Sequence, residues 1–182
     1  MNIWKWAWLP ILAGFALLRG GSEKRRAPLP GLDNPDVIDA ATRTLLAETS
    51  FNTRKHSKQE LASILQVGIN RARETGNPLA VFTAPGVPNW NRSGKFRERW
   101  TEASGYPQWA AARAFVVQVF GGAYPNLIGD RKQFLHPAGM PKCVQGRCKP
   151  GRICADTTAG KRCLPRWSDD SLAVVIDKAR FS

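Results

Sequence analysis

The sequence predicts a mainly α-helical domain with an irregular, disulfide-rich loop toward its C-terminal side and a hydrophobic segment at its N-terminus. Three observations carry that expectation. Apolar residues recur at three- and four-residue spacing through residues 36–49 and 57–73, the period of one helix face, and residues 107–121 are apolar nearly throughout. Four cysteines fall together between Cys143 and Cys163, among Gly, Pro and Lys. Residues 3–18 form one apolar run that opens on Trp4, Trp6 and Trp8.

Length and charge bound the function. A chain of 182 residues suits one domain with a sizeable core. A net charge of +13 and a pI near 10.3 point to anionic partners: nucleic acid, anionic lipid or bacterial wall polymer. The charge is uneven. Between Arg131 and Trp167 nine lysines and arginines face a single acid, Asp156, a local excess of +8 (nine minus one). Such a run is either a solvated basic face or a polymer-binding one.

In chain order, residues 1–26 come first. The apolar run is short for a spanning helix, which needs about 20 residues, and with Lys5 near its start has the layout of a signal peptide or signal anchor. The basic cluster from Arg19 to Arg26 would hold the following chain in the cytoplasm if the run spans a membrane. That conflicts with an external catalytic domain and leaves room for an interfacial segment or for delivery in a virion. Residues 27–35 (APLPGLDNP) read as a linker punctuated by Pro and Gly.

The first helix places Val37, Ala41, Thr44 and Leu45 on one stripe, and Glu48 continues it. A carboxylate on the buried side of a helix is desolvated, which raises its pKa toward that of a working general acid. The plainer reading makes Glu48 a last-turn surface residue. The second helix opens on Ser57 and Glu60, a capping-box spacing, and runs to Arg73 with Leu61, Ile64, Leu65, Gly68 and Ala72 in phase. Gly68 inside a helix suggests close approach of another element. Thr75-Gly76-Asn77-Pro78 reads as its stop.

Residues 82–96 should be irregular, because Pro85, Gly86 and Pro88 exclude a regular helix. Asn89, Trp90 and Asn91 there offer amides and an aromatic face, the chemistry that sugars use. A short helix around Trp100 follows, then residues 107–121, apolar nearly all round and therefore expected as the central buried helix. Residues 124–140 form a second informative loop holding Tyr124, Asp130, Phe134 and His136. His56 and His136 are the only histidines, so no metal-ligand set is expected to converge on either; neither a metal nor a cofactor is expected. Cys143, Cys148, Cys154 and Cys163, in the basic loop 141–167, lack the C-x2-C knuckle of a zinc site and are expected to form two disulfides. A last helix capped near Ser168 would carry Leu172, Val175, Ile176 and Ala179 on one stripe.

The AET triplet ending the first helix, the ELASILQVGINRAR helix and the downstream FLHPAGM together resemble the spore-cortex-lytic (SleB-type) cell wall hydrolase family, over residues 36–140. The resemblance implies a lysozyme-like helical domain (residues 36–182 with the Cys-rich loop) that cleaves peptidoglycan between N-acetylmuramic acid and N-acetylglucosamine. It makes Glu48 the catalytic acid/base and puts Asn70, Asn89, Trp90, Tyr124, Phe134 and His136 against substrate. Two departures stand out. Ala47 replaces the glycine expected before the glutamate, and residues 49–51 lack a second acid. Asp130 and Glu60 are the carboxylates left to serve as a second one. With no convincing partner for Glu48, a lytic transglycosylase is favoured over a two-carboxylate hydrolase. The expected partner is peptidoglycan rather than nucleic acid, with membrane association through the N-terminal segment, and the expected place is the cell envelope or a phage virion. The rival class is a non-catalytic cationic protein binding wall polymer, anionic membrane or nucleic acid, in which Glu48 would be structural.

Overall fold

The computed structural model describes residues 29–83, 94–168, 174–176 and 179–181; the expected N-terminal segment, Asn89 and Trp90 lie outside them. About half of the molecule is helical, with a small amount of sheet. No helix among the described residues is long and apolar enough to cross a membrane.

Helix α1 (Pro35–Thr49) starts where Asn34 accepts a hydrogen bond on Oδ1 from the Asp36 amide at 2.8 Å, with Pro35 at the first helical position. Val37, Ala41, Thr44 and Leu45 are buried as their spacing predicts, joined by Ala40, Leu46 and Ala47. The expected linker is in part core: Leu32 is buried and Leu29 packs beside it. Two leucines alternating with Pro and Gly cannot stay in water when an apolar helix face lies adjacent.

Helix α2 (Lys58–Thr75) is capped by Ser57, whose Oγ accepts from the Glu60 amide at 3.1 Å, and ends at Gly76 in the left-handed region (φ 67°). Its apolar residues are shared between two cores. Leu61, Ala62, Leu65 and Ile69 join Leu45 of α1 and Phe115, Val116 and Val119 in one core cluster. Ile64 and Val67 join a second with Ile128, Ile176, Ala179 and Phe181. This corrects the expectation for residues 107–121. There α5 (Trp109–Phe120) buries only Ala112, Phe115, Val116 and Val119, while Val117 is 45% exposed. Its remaining alanines face solvent at little cost, because so small a side chain exposes little apolar surface.

Gly68 does mark a close approach. A Cβ there would lie 2.4 Å from a ring carbon of Phe82, itself buried at the end of α3 (Pro78–Phe82). Helix α3 was missed by sequence because Asn77-Pro78 serves two functions. It follows the end of α2, and it also caps α3 through Asn77 Oδ1 and the Ala80 amide at 3.0 Å. Gly68→Val is expected to lower stability by about 2–3 kcal/mol through overpacking. A thermal melt by circular dichroism checks this; an unchanged midpoint would contradict it.

Helix α4 (Gly94–Glu102) lies against α1. Arg43 Nη1 donates to the carbonyls of Trp100 (3.2 Å) and Thr101 (2.8 Å), and its guanidinium lies over the rings of Trp100 and Trp109. Trp100 Nε1 donates to Thr44 Oγ1, which in turn donates to the Phe82 carbonyl at 3.0 Å.

The C-terminal part departs most from expectation. Strands β1 (Phe134–Leu135), β4 (Val174–Ile176) and β5 (Ala179–Phe181) form an antiparallel sheet in the order β1-β5-β4. The expected last helix is therefore wrong: Ile176, Ala179 and Phe181 are buried from strands. Val174, Val175 and Ile176 are β-branched, and Ala179-Arg180-Phe181 alternates buried, half-buried, buried, a period of two. The cysteine loop is likewise not wholly irregular, since β2 (Arg152–Ala155) and β3 (Arg162–Pro165) pair as a hairpin with Cys154 opposite Cys163. The two expected disulfides are present, Cys143–Cys154 and Cys148–Cys163. Each joins one hairpin strand to the segment 143–148, where Val144 and Arg147 close a tight turn over Gln145 (φ 48°) and Gly146 (φ 74°).

Candidate active site

Glu48 occupies the last turn of α1, a half-buried position at the negative end of the helix dipole, with no basic residue in that turn. Loss of hydration pushes its carboxyl group up to about 7, and this exceeds the opposing pull of Arg99 and Arg71. Arg71, late in α2, donates from Nε to the Lys132 carbonyl at 2.6 Å; burial pulls its guanidinium below the ordinary arginine range while the Glu48 charge works the other way. Arg99 comes from α4, the helix that Arg43 and Trp100 fasten to α1. Sequence reasoning missed both arginines as neighbours of Glu48, because three different helices supply the group.

The chain leaves α1 through two consecutive non-glycine residues in the left-handed region, Ser50 (φ 53°) and Phe51 (φ 45°). Such backbone costs on the order of 1 kcal/mol or more per residue and persists only where the surroundings impose it. Here Thr49 Oγ1 donates to the Leu45 carbonyl and accepts from the Phe51 amide, and the Phe51 ring packs 5.5 Å from that of Phe115. The helix end carrying Glu48 is thus held firmly. A half-ionised carboxyl group fixed in this way can give a proton near neutral pH and take one back.

The other expected site residues divide. Asn70 is buried, and its Nδ2 donates to the carbonyls of Gly129 and Arg131, both at 2.8 Å, while Oδ1 accepts from Arg73. Its amide is committed to protein, so it positions the 129–132 segment next to Arg71 rather than facing substrate. That segment carries Asp130, which is exposed. Tyr124 packs its ring 5.0 Å from Phe115, and Phe134 lies 6.1 Å from Phe181. Both are partly buried and contribute to the cores.

Glu60 is not the capping side chain that its spacing suggests. Its amide is capped by Ser57, but its carboxylate turns inward, fully excluded from solvent. His56 Nδ1 lies 2.8 Å from Glu60 Oε1, and His136 Nδ1 lies 3.5 Å from the same oxygen. The histidines therefore converge, contrary to expectation: β1 delivers His136 to the start of α2. The H-x3-E spacing was visible, but nothing local signalled the third member. With two imidazoles on its carboxylate, Glu60 is not available to Glu48 as a second acid.

The chain matches no protein-family model, no curated protein and no solved structure.

Proposed function

We propose that the protein cleaves peptidoglycan glycan strands as a lytic transglycosylase, with the helical half serving as a lysozyme-like scaffold and Glu48 as the single acid/base. The observation that carries this reading is the Glu48 carboxyl group, raised to about 7 by burial at a helix C-terminus in the presence of two arginines. The resemblance of residues 36–140 to cell wall hydrolases supplies the substrate class. Protonated Glu48 gives its proton to the glycosidic oxygen as the bond from the muramyl anomeric carbon breaks. The resulting carboxylate then takes the proton of the muramyl 6-hydroxyl, whose oxygen attacks the anomeric carbon. The products are a 1,6-anhydromuramyl end and a free N-acetylglucosamine hydroxyl, with Glu48 reprotonated and no water consumed. The engagement of Glu60 by two histidines favours this one-carboxylate route over hydrolysis.

Digestion of purified peptidoglycan followed by mass spectrometry tests the proposal. Anhydromuramyl ends, lighter by one water than hydrolysis products, are expected. Reducing muramic ends would indicate a hydrolase, with Asp130 the next carboxylate to substitute. The rate should fall as pH rises through about 7, since the first step needs the protonated acid. No cleavage at any pH would leave the cationic-binder reading.

A further inference from the structure

We propose that His56, Glu60 and His136 form a zinc-type metal site, with three protein ligands and a fourth position open to solvent. The donor atoms of these three residues all lie within 4.8 Å of one another. A tetrahedral zinc ion with ligand bonds near 2.0–2.1 Å separates its donors by about 3.3 Å. The two distances to Glu60 Oε1, 2.8 Å from His56 and 3.5 Å from His136, bracket that value. The imidazoles sit edge to face with centroids 5.3 Å apart, so both can turn a nitrogen toward one point.

A second feature is independent of this geometry. Glu60 Oε2 is buried and has no hydrogen-bond partner among the described residues. Removing a carboxylate from water and leaving one oxygen unbonded is costly, and a divalent ion ligated by both carboxylate oxygens would give Oε2 the partner it lacks. Two imidazoles and one carboxylate suit zinc and its late first-row neighbours and do not suit calcium or magnesium, which take oxygen ligands. Glu60 is fully buried while the His56 and His136 side chains keep 16% and 27% of their exposure, so the open position lies on the histidine side.

The supports are rigid. Glu60 is in the capped first turn of α2, and the His56 amide is bonded to the Asn52 carbonyl at 3.0 Å. His136 follows β1, and its carbonyl accepts from the Gly139 amide at 3.0 Å. Metal at this point would tie the C-terminal sheet to the start of α2.

The test uses the full chain with both disulfides confirmed by intact mass, no affinity tag, and chelator-stripped before zinc is titrated by calorimetry. One equivalent per chain is expected, with a thermal midpoint about 5–10 °C higher at a hundredfold excess over the dissociation constant. His136→Ala, at the most exposed of the three ligands, should weaken zinc by at least about 100-fold, and His56→Ala should do the same if the first variant fails to fold. Glu60→Gln keeps the side-chain shape and should also lose the ion. Absence of zinc binding at micromolar concentrations would overturn the proposal, as would undiminished affinity in the folded histidine variants. Binding that appears only after disulfide reduction would assign the metal to the cysteines and overturn it as well.

Discussion

Glu48→Gln is expected to fold and to lose about 10²–10⁴ in the rate of glycan cleavage, because the amide keeps the shape and cannot shuttle a proton. The same substitution should alter stability in the opposite sense. The Glu48 carboxyl group is raised in the folded state to about 7 from the 4.5 of an ordinary glutamate, so its neutral form favours folding. That contribution is complete below the unfolded pKa and is lost as pH rises through the folded one. Above pH 7 the wild-type protein holds a poorly hydrated carboxylate that the glutamine variant lacks. After allowance for partial exposure, and for two arginines that lose a counter-charge, the variant should be more stable at pH 8 by about 1–2 kcal/mol. Melts at pH 4 and pH 8 should show the gain at the higher pH alone. Full activity in the folded variant would remove Glu48 from the chemistry, and an equal change at both pH values would remove desolvation as the cause.

Removal of one disulfide is the second large effect. Cys148 and Cys163 close a loop with a sequence separation of 15. In the chain-entropy view this is worth roughly 3 kcal/mol, or about 6–12 °C in a protein of this size. Cys148→Ser with Cys163→Ser should lower the melting point by that amount, and the loss should reach beyond the hairpin. Ser168 Oγ donates to the Pro165 carbonyl at the end of β3, and Arg180 in β5 donates from Nε to the Ser168 carbonyl at 2.7 Å. Hydrogen exchange should therefore rise in β1 and β5 as well as in β2 and β3. Thiol titration of the denatured, unreduced wild type should find no free thiol. An unchanged melting point, or four free thiols, would refute the stapling role.

The helical half was legible in the sequence because its signals are local. Ser57 and Gly76 act as the start and stop signals their residue types suggest, and the α1 stripe leads to Glu48; the Asn34 cap lay unread inside the expected linker. Gly68 was legible as a close contact, although its partner Phe82 was not, since the helix carrying Phe82 was hidden behind a stop signal. The last segment failed for a different reason. Val175, Ile176 and Ala179 fit a helical stripe as well as they fit two short strands, and pairing with β1, far away in sequence, decides between them. The site shows the same division. Glu48 is read from its own helix, whereas Arg71, Arg99 and the meeting of His56 with His136 depend on tertiary packing that no local spacing encodes.

The strand order β1-β5-β4 bears on how the protein is made. The middle strand, residues 179–181, is the last of the three to be synthesised, so neither edge strand has its partner until those residues have left the ribosome. The helical core around Leu45, Leu65 and Phe115 takes only Tyr124 from beyond α5 and nothing from the sheet, so it can form first. Until β5 arrives, Ile64, Val67 and Ile128 remain an uncovered apolar face of α2 and its neighbouring loop. A nascent chain that closes its helical core first would hold the other core open until β5 pairs, the point at which a chaperone would have most to cover.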